Sequence, residues 1–103
     1  MENVTTKKFT AKDLFNSSSA TPIKDVAGQT LDIEAVAIRD KVDGQTCGYL
    51  KATDGKIYAT ISQTVIEQLV ALAEMVDEGG ALKVTVVPKQ SNGGRTYYML
   101  ELV

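Results

Sequence analysis

No histidine and a single cysteine, Cys47, leave this 103-residue chain without the ordinary parts of a nucleophile–base pair or a nitrogen–sulfur metal site. The residues whose types and spacing can do chemistry are aromatic and cationic, and they gather between Thr46 and Ser62, TCGYLKATDGKIYATIS. Asp54-Gly55 lies between two alternating runs there, and a two-residue Asp-Gly loop of type I′ predicts a hairpin. That register sets Thr53 opposite Lys56, Ala52 opposite Ile57, Lys51 opposite Tyr58, Leu50 opposite Ala59 and Tyr49 opposite Thr60. Side chains alternate between faces along a strand. Leu50, Ala52, Ile57, Ala59 and Ile61 then form a core face, and Tyr49, Lys51, Thr53, Lys56, Tyr58, Thr60 and Ser62 a wet one. Two tyrosines interleaved with two lysines make a surface on which bases stack while phosphates are neutralised. The same residue types are also common on the solvent side of antiparallel strands, where cross-strand pairs add only roughly a few tenths of a kcal/mol.

The elements that must position this face are those of one domain with a modest core. Hydrophobic residues make up 44% of the chain and charged ones 23%, ordinary values for a soluble protein. No apolar run is long enough for a membrane span, and MENVTTKKFT lacks a signal-peptide core, so a cytoplasmic setting is expected. A single cysteine fits a reducing compartment. The net charge of −2 argues at first against a polyanionic partner. Four of the 13 acidic residues, Glu67, Glu74, Asp77 and Glu78, fall in one stretch without a basic residue. The remainder holds 11 bases against nine acids, a net +2, so faces of unlike sign are available.

Residues 1–30 read as an N-terminal arm and lead-in, partly irregular: a polar start with Lys7-Lys8 beside Phe9, a loop at Ser17–Pro22, a short strand over Ile23–Val26 and a turn at Ala27–Gln29. Residues 31–103 read as the domain proper. In Leu31–Lys41 the apolar positions start on the odd set (Leu31, Ile33, Ala35) and move to the even set (Val36, Ile38), which predicts a bulged strand. Asp43-Gly44 turns the chain into the hairpin. After Ser62 the period changes to 3.6: Val65, Ile66, Leu69, Val70, Leu72, Ala73 and Val76 line one helical face. Ser62 or Thr64 serves as N-cap, the latter with Glu67 in a capping box, and Gly79-Gly80 is the stop. Strands follow over Leu82–Val86 and Thr96–Val103, joined by the basic loop Lys89–Arg95. The last strand places Tyr98, Leu100 and Leu102 on one face and Tyr97, Met99 and Glu101 on the other.

The expected fold is therefore mainly β with one helix, in the order β-β-β-α-β-β of the OB-fold, a five-stranded barrel. That fold binds oligonucleotides or oligosaccharides on strands 2 and 3 and on the loops 1–2 and 4–5. Here those are the Tyr/Lys face, the loop 41–45 and the basic loop 89–95.

The chain also resembles the single-stranded DNA-binding proteins of small tailed phages with protein-primed DNA replication. The likeness rests on Ala52, Asp54-Gly55, Tyr58, Ile61-Ser62 and Thr64-Val65, and extends through Lys83-Val84 and Val86-Val87 and back through Glu34-Ala35 to Phe15-Asn16. The resemblance implies an OB-type protein that coats displaced strands during viral DNA replication, with Tyr58 among its stacking aromatics. Tyr49 lies where this chain has a shorter first hairpin loop, and the N-terminal arm departs from the family pattern.

From both lines, single-stranded DNA binding without sequence preference is the leading expectation. Bases stack on Tyr58, Tyr49 and Tyr97, while Lys51, Lys56, Lys89 and Arg95 meet phosphates. The expected partners are single-stranded DNA and replication proteins, with the chain a monomer or weak oligomer in the host cytoplasm. No catalytic residue, metal or cofactor is expected. The alternative is a protein-interaction OB module that docks a partner through the acidic helix or the tyrosine face.

Overall fold

The longest strand organises the molecule, and its sequence explains why. Thr30–Val42 (β3) is rich in β-branched residues and carries apolar side chains on both parities, so it is buried on both sides in its middle: Ala35, Val36, Ala37 and Ile38 are all inaccessible. The computed structural model describes residues 3–42 and 44–103. Before β3 come Val4–Thr5 (β1), a short helix Ala11–Asn16 (α1), a 3-10 turn Ser17–Ser19, Thr21–Pro22 (β2) and a second 3-10 turn Ile23–Val26. After it come Gln45–Ala52 (β4), Ile57–Thr60 (β5), the helix Gln63–Gly79 (α2), Leu82–Gln90 (β6) and Thr96–Leu102 (β7). They form one curled, open sheet in the order β2-β5-β4-β3-β6-β7, with β1 paired to β3. Five strands and a single helix were expected; two further two-residue strands and α1 are added by the N-terminal segment. Ile23–Val26, expected as a strand, is a 3-10 turn that buries Ile23 and Val26 at the core.

The expected bulge is present. Ile33 pairs with Ala52 but Ala35 with Lys51, so Glu34 is the extra residue. The bulge divides β3. Its first part, Thr30–Ile33, pairs with β6, and beyond it the N-terminal segment takes over. Val4 and Thr5 pair with Ile38 and Ala37, and the Thr6 hydroxyl accepts from the Val36 N–H at 3.0 Å. The turn expected at Asp43-Gly44, and with it the loop 41–45, includes Asp43, which is outside the described residues.

Helix α2 closes the core with Val65, Ile66, Leu69, Leu72, Ala73 and Val76. Ser62, not Thr64, is its N-cap, and Gly80 stops it with φ +81°. Val70, expected on the buried face, is exposed; it lies at the margin of the apolar stripe. Pro88 lies within β6 rather than ending it. It shares parity with Val86, whose N–H and C=O point away from β7 to Gln29 and Gly28. The N–H that Pro88 lacks would lie on that same side, beyond the reach of the β3 ladder. Among the described residues no helix is long and apolar enough to cross a membrane.

Candidate nucleic-acid interface

The central hairpin forms, but one residue out of the expected register. Lys51 faces Ile57, Leu50 faces Tyr58, Tyr49 faces Ala59 and Gly48 faces Thr60. The loop has three residues rather than two. Ala52 N–H donates to the Lys56 carbonyl at 2.9 Å, and Gly55 N–H donates to the Ala52 carbonyl at 2.9 Å. Gly55 has φ +90°, as in a type I turn followed by a G1 bulge. The Asp54 carboxylate accepts the Lys56 N–H at 3.0 Å, a local bond that supports this loop. A slip of one residue moves each side chain of a strand to the other face.

Two corrections follow from that slip. Tyr58, expected on the wet face, is 7% exposed and packs in the core with Leu50 and Ala52. A ring so enclosed presents no face to a base. Ile61, expected in the core, is 63% exposed. Ile57 and Ala59 likewise leave the core face and are half-buried.

The sheet does not close: β2 and β7 are its two ends and do not pair. At that open seam lies a groove of about 610 Å³. Pro22 and Lys24 line it from the N-terminal side, Cys47 and Tyr49 from β4, Ala59 and Ile61 from the exit of β5, and Tyr97 and Tyr98 from β7. Tyr49 and Tyr97, both expected at the site, are thus brought together. Tyr98 joins them, although its parity with Leu100 suggested a core role; it packs against the core edge and still lines the seam. Lys24 was missed because the strand expected over Ile23–Val26 gave no reason to place it at a binding site.

Tyr49 is held in place from behind. Its ring lies 6.3 Å from that of the buried Phe9, at a 36° tilt. Burial pushes its phenol above the ordinary value, and the neighbouring Cys47 adds to the effect, so the group stays neutral at physiological pH.

The expected cations fare differently. The Lys51 ammonium forms an ion pair with Asp13 at 2.9 Å and donates to the Lys8 carbonyl at 3.2 Å. Its charge is largely neutralised within the fold, beneath the N-terminal segment. Asp13 is itself the third residue of a capping box with Thr10. Burial acts to raise its carboxyl, but the Thr10 N–H and hydroxyl contacts and Lys51 outweigh burial and hold it below the ordinary carboxylate value. Lys89 pairs loosely with Glu101 at 3.7 Å. Lys56 is exposed at the tip of the β4–β5 hairpin, and Arg95 is exposed next to Thr96, which lines the groove. Of the four expected cations, Arg95 adjoins the seam beside Thr96, and Lys89 lies opposite the seam-lining Tyr97 across the β6–β7 ladder.

Among the described residues no three histidine, cysteine, aspartate or glutamate side chains converge as a metal site. Tyrosine rings at an open seam are the kind of surface on which flat rings can stack. The chain belongs to the phage single-stranded DNA-binding protein family, whose sequence model matches residues 3–103. No curated protein and no solved structure matches it.

Proposed function

We propose that this protein binds single-stranded DNA in the seam between β2 and β7, and that it does so as an OB-like domain without reading sequence. The observation that carries the proposal is the convergence of Tyr49, Tyr97 and Tyr98 on one open groove in a chain of this family. Each stacked base contributes about 1–3 kcal/mol, and stacking tolerates any base because every base has a π-face. Lys24 in the groove, Arg95 beside Thr96 and Lys89 opposite Tyr97 are the cations for phosphates, with Lys56 at the tip of the β4–β5 hairpin. Binding of this kind suits a protein that coats and protects strands displaced during phage DNA replication.

The chain has four tyrosines and no tryptophan, so its intrinsic emission reports on the site directly. Titration with oligo-dT should quench much of that emission, since three of the four tyrosines line the groove. An equal duplex concentration should quench far less. Affinity should fall with salt, with a logarithmic slope of about −0.7 for each phosphate neutralised. Unchanged emission with oligo-dT sinks the proposal, and salt-independent affinity favours a protein-docking module.

A further inference from the structure

Gln68 on α2 makes two hydrogen bonds to a single residue of β7. Its Nε2 donates to the Leu100 carbonyl at 2.7 Å, and the Leu100 N–H donates to its Oε1 at 2.8 Å. A neighbouring strand makes the same reciprocal pair. The register shows why Leu100 is available. It sits opposite Val86, whose own N–H and C=O point away from β7 to Gln29 and Gly28. Val103 N–H, on the other parity, turns inward to the Lys83 carbonyl. The backbone groups of Thr96, Tyr98, Leu100 and Leu102 therefore point away from β6. As β7 ends the sheet, they form its free edge, and Gln68 covers the edge at Leu100.

This edge is of the kind that pairs with other chains. Thr96–Leu102, TYYMLEL, is rich in strand-forming residues, carries one charge and has neither Pro nor Gly. At the other end of the sheet, β2 is two residues long and ends in Pro22, which blunts it. Beside Gln68, Leu72, Met75 and Leu102 line an apolar groove of about 260 Å³, from which Met75 and Leu102 are exposed.

We infer that Gln68 is an edge guard, and that the β7 edge it covers is a latent docking surface for a second copy of this chain, paired antiparallel about a two-fold axis. Charge selects this occupant. Antiparallel pairing carries Arg95, just before one β7, towards Glu101 near the end of the other, twice over by symmetry and in addition to the loose pairing of Glu101 with Lys89 at 3.7 Å. At the Leu100–Leu102 end a polyanion is disfavoured, because the adjoining helix carries Glu67, Glu74, Asp77 and Glu78 and no cation, whereas the Thr96–Tyr98 end borders the seam proposed for DNA. The inference rests on the backbone edge rather than on DNA binding, and pairing there would cover Thr96 and Tyr98 at the rim of the seam.

The test is sedimentation equilibrium of the full chain and of Gln68→Leu at equal concentration. Leucine keeps helix propensity and size while deleting both bonds. The parent should run at its 11.1 kDa mass and Gln68→Leu at twice that. An unchanged mass for the variant overturns the guard, and growth beyond a dimer overturns the two-fold pairing. Adding Glu101→Arg to Gln68→Leu should return the parental mass; a persistent dimer overturns the antiparallel arrangement. Should Gln68→Leu fail to fold by circular dichroism, amide exchange in the parent decides. The Leu100 N–H should exchange at least about tenfold more slowly than those of Tyr98 and Leu102, its neighbours on the same edge. Equal rates overturn the guard.

Discussion

Tyr58 lies directly opposite Leu50 across the β4–β5 ladder, and both side chains point into the core. The aromatic ring nearest the hairpin turn is therefore a packing element. Tyr58→Ala should cost about 3–5 kcal/mol of stability, as for other large-to-small changes in a core. Tyr58→Phe keeps the ring and should cost less than about 1.5 kcal/mol. Urea midpoints of the two variants check this. A Tyr58→Ala chain as stable as the parent would place the ring on the surface after all.

Tyr97 is the converse case. It is 39% exposed and lines the seam, so its loss removes little packing. Tyr97→Ala should weaken oligo-dT binding by about 1–3 kcal/mol, while stability shifts by less than about 1 kcal/mol. Tyr49→Ala should weaken binding similarly but also cost stability, because its ring backs onto Phe9. Fluorescence titration and urea melts on the same samples separate the two effects.

The difference between Tyr58 and Tyr97 shows what was legible in the sequence and what was not. Period fixes faces only within an element, so the stripe of α2, apart from Val70 at its margin, and the parity change in β3 read correctly from apolar positions. The hairpin's faces hang on loop length, and Asp54-Gly55 suits a two-residue loop and a three-residue one alike. The choice is made by the bonds of Ala52, Gly55 and Lys56, which no residue type announces. The N-terminal segment was harder still. Its order comes from bonds with distant partners: Thr6 with Val36, the Lys7 N–H with Asp77, and Asp13 with Lys51. Lys24 and Tyr98 reach the groove only because the sheet stays open, and that is a tertiary property.

The Asp13–Lys51 pair makes stability depend on pH in a defined direction. The folded carboxyl titrates below its unfolded value, so the unfolded chain binds the proton more readily. The contribution is complete above the unfolded carboxylate range. It is lost as pH falls from about 5 through the folded value. Asp13→Asn should therefore be less stable than the parent at neutral pH, and the gap should narrow towards about pH 3. Urea midpoints across that range check the sign. A gap that does not change with pH would mean that the pair contributes nothing to folding, and one that widens on acidification would mean that folding raises the carboxyl instead.

Gly48 and Leu69 offer the sharpest test of how α2 seats on the sheet. A Cβ at Gly48 would lie 2.6 Å from Leu69 Cδ1, 3.2 Å from Ile66 Cγ1 and 3.3 Å from Thr60 Cγ2. A side-chain terminus elsewhere would swing aside, but Leu69 and Ile66 are both fully buried and have little room to move. Gly48→Ala should thus cost about 1–3 kcal/mol by overpacking. Leu69→Ala should cost about 2–5 kcal/mol through the cavity it leaves. Because the new methyl of the first points into the space vacated by the second, the double variant should be more stable than the two costs together imply, with a coupling of about 0.5–3 kcal/mol. Denaturant melts of the four chains complete the cycle. Strict additivity would mean that the helix has shifted away from β4 and that the glycine is not what allows its close approach.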